Sequence, residues 1–156
     1  MTQWKIYSFK QLSTEQLYDV IKLRVDVFVV EQNCPYPDLD GNKGELDRHP
    51  ETTHLLGYQD NTLVGYLRIL PKGQNYADYV SIGRVVTAIE NRGSGLGHQL
   101  MQQGIEQCLK QYPNQPIKIS AQQHLSRFYQ QHGFTQVSKM YLEDNIPHIA
   151  MLRLVN

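Results

Sequence analysis

Glycines at positions 93, 95 and 97, within Arg92-Gly93-Ser94-Gly95-Leu96-Gly97, lie between a β-rich run and an amphipathic stretch. A turn of this kind lets backbone N–H groups converge, and the helix that follows adds the positive end of its dipole. The dipole alone favours an anion by roughly 0.3–1 kcal/mol, so the expected guest is a phosphate. Spacing excludes two nucleotide loops. A Walker A loop ends in Gly-Lys-Ser/Thr, whereas Gly97 is followed by His98 and Gln99. A dinucleotide fingerprint begun at Gly93 needs glycine where His98 stands.

Other reactive side chains give weaker patterns. Asp38-x-Asp40-x-Asn42 starts like a calcium loop, but Lys43 occupies the sixth position and His49 the twelfth, where glycine and glutamate are required. The six histidines show no zinc-ligand spacing, so no metal is expected. Cys34 precedes Pro35 without a readable base and reads as a packed thiol.

These residues must be carried by ordinary elements. Trp4, Ile6, Tyr7 and Phe9 suggest a short first strand. Ser13 and Gln16 form a capping box, and Leu17, Val20, Ile21, Arg24, Val27 and Phe28 recur at helical spacing. Arg24 on that face either snorkels or serves a polar role beneath a site. The helix stops before Pro35, and the polar stretch to about Pro50 reads as a long solvated loop whose acids could attract a cationic substrate. Thr53 to Tyr58 and Leu63 to Leu70 make a hairpin around Asp60-Asn61, and Val80 to Thr87 is the next strand. A second helix carries Leu100, Met101, Ile105, Cys108 and Leu109 and ends before Pro113. Ile117 to Ala121 is a strand, and Leu125 to His132 a short helix closed by Gly133. Gln136 to Glu143 and Ile146 to Leu154 are two last strands around Asp144-Asn145.

Two motifs in this order resemble the GNAT acyl-CoA N-acyltransferase superfamily. Arg92, Gly95 and Gly97 satisfy its pyrophosphate loop, Gln/Arg-x-x-Gly-x-Gly/Ala. Phe128-Tyr129-Gln130-Gln131-His132-Gly133-Phe134 is similar to the segment after its fifth strand. Val29 to Tyr36, Asp38 to Gly41, Ile82 to Val85 and Ile146 to Ile149 look like an ElaA-like subgroup. The resemblance spans the chain and implies one domain, 1–156, of mixed α/β class, with a central mostly antiparallel sheet flanked by helices.

It also implies an acetyl-CoA-dependent N-acetyltransferase acting directly on a primary amine of a small molecule or peptide. Gly93, Ser94, Gly95, Leu96, Gly97 and His98, with Arg92, would cradle the pyrophosphate. Val85, Val86 and Thr87 would pair with the pantetheine amides, and Gln122 would touch CoA. Tyr129 takes the place of the tyrosine that protonates the departing thiolate, although it also falls on an apolar stripe with Leu125 and Phe128. The base stays open. Ile117 to Ala121 carries no carboxylate, which leaves Glu31, His54, His148 or a water chain. A longer acyl-CoA as donor and a noncatalytic CoA-binding module are the alternatives.

The bulk properties agree. Fifteen Lys plus Arg balance fifteen Asp plus Glu, giving no general attraction to nucleic acid. The first ten residues lack the apolar core of a signal peptide, and no run is long enough to span a bilayer. Two cysteines argue for a reducing, cytoplasmic setting. An exposed strand edge would support a homodimer, though no residue pattern argues for one.

Overall fold

Ser13 caps the first helix as its spacing predicts. Its Oγ accepts from Gln16 N–H at 3.0 Å, and Gln16 Oε1 accepts from Ser13 N–H at 2.9 Å. In this computed structural model, which describes residues 1–41 and 45–155, that helix is α1, Thr14–Arg24. It does not run on as a regular α-helix. Val25–Glu31 widens into a π-helical segment, with Gln32 N–H reaching Val27 O at 3.1 Å and Cys34 N–H reaching Val29 O at 3.0 Å. Such widening re-aims the side chains that follow it.

Among the described residues eight strands form one sheet: β1 (Gln3–Tyr7), β2 (Thr53–Gln59), β3 (Thr62–Leu70), β4 (Val80–Thr87), β5 (Ile117–Gln122), β6 (Thr135–Gln136), β7 (Tyr141–Glu143) and β8 (Ile146–Arg153). The spatial order is β1-β2-β3-β4-β5-β8-β6, with β7 also on β8. Every pairing is antiparallel except β4 with β5. Both expected hairpins turn where the sequence places them. Asp60 and Asn61 have φ of 47° and 65°, and Asp144 and Asn145 have 50° and 62°, the left-handed values a two-residue hairpin loop requires.

The strand expected over Gln136–Glu143 is instead two, β6 and β7. Val137 N–H donates to Ala150 O at 2.9 Å, but Ala150 N–H turns to Ser138 Oγ at 2.9 Å. A side chain has replaced the backbone acceptor, and the ladder is interrupted there.

α2 (Leu96–Gln111) and α3 (Ser126–Gln130) cover one face of the sheet, where Leu67, Ile69, Ile82, Leu100, Met101, Ile119, Phe134 and Ile149 pack together. A Cβ at Gly104 would come within 2.7 Å of Leu67 Cδ2, so glycine sets how closely α2 approaches β3. α1 covers the other face over Val20, Leu23, Leu56, Val64, Tyr66 and Val86. No helix among the described residues is long and apolar enough to cross a membrane.

Candidate active site

β4 and β5 are paired only at Val80 with Ile117 and at Ser81 with Lys118. Beyond those two rungs the strands part, and a cleft of about 390 Å³ opens between them. Gly83, Arg84 and Val85 line one wall, and Ile119, Ser120 and Gln122 the other. β4 is bent here by a bulge. On β3, Tyr66 pairs with Val86 but Arg68 with Gly83, so one β3 residue faces two on β4. Arg84 takes the strain with φ of 53°, a conformation unfavourable for a side chain of its length.

Contacts from the polar loop hold that conformation. Arg84 Nε lies 2.9 Å from Asp38 Oδ1, and its Nη2 donates to Asp38 O at 2.9 Å. Its guanidinium sits 5.9 Å from the Tyr36 ring centre. Arg24, 2% exposed, donates from Nε to Asp38 at 2.8 Å and from Nη1 to Asp47 at 2.7 Å. Arg68 Nη1 bridges Asp40 at 2.7 Å and Asp47 at 2.8 Å. Burial opposes charge on Asp47, but the hydrogen bonds and charges of Arg24 and Arg68 win and hold its carboxyl well below the usual range. Two acids of the loop are therefore not the solvated charges that its composition suggests, although Glu45 is exposed. Asp38 and Asp47 are buried counter-charges, and Arg24 is their polar anchor. Asn42 and Lys43, in the discounted calcium pattern, lie outside the described residues.

At the far end of β4 the glycine turn has the expected backbone. Gly93 and Gly95 have φ of 83° and 82°, and Gly95 caps α2. Nothing stands within 4 Å of where a Cβ would lie on either, so conformation alone demands glycine there. The first intrahelical bond of α2 is Gln99 N–H to Gly95 O at 3.1 Å. The amides of Leu96, Gly97 and His98 precede it and need an acceptor from outside the helix. The Leu96 side chain is buried under α1, and Ser94 Oγ donates to Asn91 O at 2.7 Å. His98 turns toward α3, with Nδ1 2.9 Å from His132 Nε2 and its ring 4.7 Å from Phe128. Arg92 is held bidentately by Glu31, which brings the end of the π segment onto the loop.

The candidate bases thus fall in three places. Glu31 is an exposed partner of Arg92, whose hydrogen bond lowers its pKa. His54 is 2% exposed and outside the cleft. Its Nε2 lies 3.0 Å from Asp47 O and its Nδ1 2.6 Å from Tyr66 OH. Burial is the main cause that brings its pKa down to about 4. His148, on β8, lines the cleft.

Tyr129 lines the cleft too, and it belongs to the core as well. Its ring packs edge-on against Phe128 and Phe134, at 5.1 and 6.0 Å. Burial pushes its hydroxyl up to about 12, so it stays protonated at neutral pH. Gln122 lines the same wall, 3.4 Å from the Gln32 side chain. Val85 faces the cleft, Val86 is buried beneath α1, and Thr87 pairs with Gly65 of β3.

Sequence reasoning missed one member of this cleft. β5 has no carboxylate, but Glu143 of β7 accepts from Ser120 Oγ of β5 at 3.1 Å. Ser120 Oγ also lies 2.5 Å from Tyr141 OH. The signal was the Asp144-Asn145 turn, which folds β7 back beside β8 and sets Glu143 opposite Ile146.

Comparison with known proteins gives a consistent picture. Residues 10–154 match the family model described as "Acetyltransferase (GNAT) domain". The chain is 44% identical over 155 residues to Protein ElaA of Escherichia coli K12, covering 99% of this chain and 98% of that one. The crystal structure of an acyl-CoA N-acyltransferase from Pseudomonas aeruginosa superposes with a TM-score of 0.90 at 41% identity, covering 98% and 99% of the two chains. That of Escherichia coli ElaA gives 0.89 at 42% identity, with the same coverage.

Proposed function

Because this chain belongs to the GNAT acetyltransferase family, we propose that it transfers the acetyl group of acetyl-CoA directly to a primary amine. Membership supports acyl transfer from a CoA thioester. The acetyl donor and the amine acceptor, a small molecule or a peptide, are our reading. One observation carries it. The sheet parts after two rungs, and a protonated tyrosine and the backbone of β4 meet in the gap, with a glycine turn where β4 ends.

In this reading the amides of Leu96, Gly97 and His98 bind the pyrophosphate, and Arg92 exchanges Glu31 for phosphate. β4 from Val85 to Thr87 lies along the pantetheine. An alkylamine with a pKa near ~10.4 is neutral in about one molecule per thousand at physiological pH, so a proton must leave first. The neutral amine attacks the thioester carbonyl, and Tyr129 supplies the proton that the thiolate takes as the C–S bond breaks.

Calorimetry with acetyl-CoA, followed by an amine screen, tests this. At one hundred times its dissociation constant acetyl-CoA should stabilise the protein by about 2.7 kcal/mol, visible as a rise in Tm. Neither heat nor a thermal shift at saturating acetyl-CoA would sink the proposal. Comparing acetyl-CoA with longer acyl-CoAs in the same assay decides the donor.

A further inference from the structure

We propose that His148, backed by Glu143, is the proton acceptor for the incoming amine, an inference that rests on the acetyl-transfer reading above. His148 Nδ1 lies 2.7 Å from Ile146 O, and a carbonyl can only accept, so Nδ1 carries the hydrogen. The neutral ring therefore keeps its lone pair on Nε2. That nitrogen lies 3.4 Å from Glu143 Oε2. A lone pair and a carboxylate oxygen facing each other have nothing to share until a proton arrives between them. The site is thus built to receive one.

The surroundings fix both partners. Glu143 Oε1 is held by Ser120 Oγ at 3.1 Å, and Ser120 in turn meets Tyr141 OH. The Tyr141 ring stacks on His148 at 6.2 Å, with 24° between planes. His148 is 9% exposed at its side chain and Glu143 50%, so the imidazole is sheltered while the carboxylate reaches the cleft mouth. Of the other titratable groups near β8, His124 sits on the short turn Gln123–Leu125 packed against that strand, and Arg153 Nε donates to His132 O at 3.1 Å. Lys118 of β5 lies over the Tyr76 and Tyr79 rings at 4.9 and 5.3 Å. Across the cleft Asp40 is tied to Arg68 and Arg84 to Asp38. β6 brings only Thr135 and Gln136. Asp144, in the turn, adds negative charge at the mouth, where an ammonium would enter.

The proton count closes. The ammonium gives one proton to His148 Nε2, and the freed lone pair forms the N–C bond as the C–S bond breaks. Tyr129 gives its proton to the thiolate and is reprotonated by the second proton that the nitrogen loses on becoming an amide. His148 returns its proton to solvent, so one proton is released per turnover. Glu143 is a positioning residue that stabilises the imidazolium.

Imidazole nitrogen NMR with the CoA-bound protein tests this without knowledge of the acceptor. His148 should show the Nδ1–H tautomer, and should keep it in Glu143→Gln, because the Ile146 carbonyl fixes it. An Nε2–H tautomer in the wild-type protein would overturn the proposal. Kinetics with probe amines add a second arm. His148→Gln should lower kcat/KM by on the order of 10²-fold for benzylamine, which is protonated at neutral pH, and by less than about threefold for trifluoroethylamine, which is not. Equal losses on both amines would count against it. Calorimetry keeps the two readings apart: both variants should bind CoA as wild type does, and loss of CoA binding by the wild type would instead sink the acetyl-transfer reading.

Discussion

His54 makes the protein acid-sensitive in a way that can be sized from its surroundings. Nε2 bonds the Asp47 carbonyl, so it carries the hydrogen, and Nδ1 accepts from the Tyr66 hydroxyl. The neutral ring is therefore satisfied on both sides. Burial first, and the nearby Arg24 and Arg68 charges as well, bring its pKa from 6.5 down to about 4. The unfolded chain takes up a proton below about 6.5 while the folded protein does not, so stability falls as pH drops. The loss starts near the unfolded value and levels off near the folded one. A gap of roughly 2.5 units at ~1.36 kcal/mol each comes to about 3 kcal/mol. Urea unfolding at several pH values from 7.5 to about 3.5 measures it. His54→Gln keeps hydrogen-bonding groups but cannot titrate, and its stability profile should be flatter by about that amount. Parallel profiles for the two proteins over this range would refute the argument.

Other outcomes follow from the same geometry. Tyr129→Phe should keep its packing against Phe128 and Phe134 but lower kcat by on the order of 10²–10⁴, with CoA affinity changed little; full activity would make solvent the proton donor. Gly95→Val forces a branched side chain into left-handed backbone and should abolish the CoA-induced thermal shift, and normal CoA binding by the folded variant would place the pyrophosphate elsewhere. Asp47→Asn leaves Arg24 and Arg68 buried without full counter-charge, and should cost about 3–5 kcal/mol, read by urea unfolding. At ~2–4 °C per kcal/mol for a protein of this size, its Tm should drop by roughly 10 °C.

Much of the architecture was legible because its signals are local. The Ser13 capping box, the Asp60-Asn61 and Asp144-Asn145 turns and Gly133, with φ of 89°, each depend on a few neighbouring residues. The glycine turn was legible for the same reason. What escaped notice depends on partners far apart in sequence. Asp38 and Asp47 look like solvated acids until Arg24, Arg68 and Arg84 are brought beside them. Glu143 looks like a hairpin-end charge until β5 places Ser120 against it. The break between β6 and β7 turns on one hydroxyl, Ser138, taking a backbone role that no periodicity records.

The two-rung seam between β4 and β5 also shapes how the backbone trades hydrogen with solvent. In an unbroken sheet the outer strands exchange first and the central ones last, because only the outer amides lack a neighbour. Here two strands from the middle of the order, fourth and fifth of the eight, each have an unpaired flank beyond Ser81 and Lys118. Deuterium uptake should therefore show a fast stripe through the centre of the molecule, flanked by slow strands on both sides. Filling the stripe on addition of coenzyme would map the ligand's path onto the backbone residue by residue.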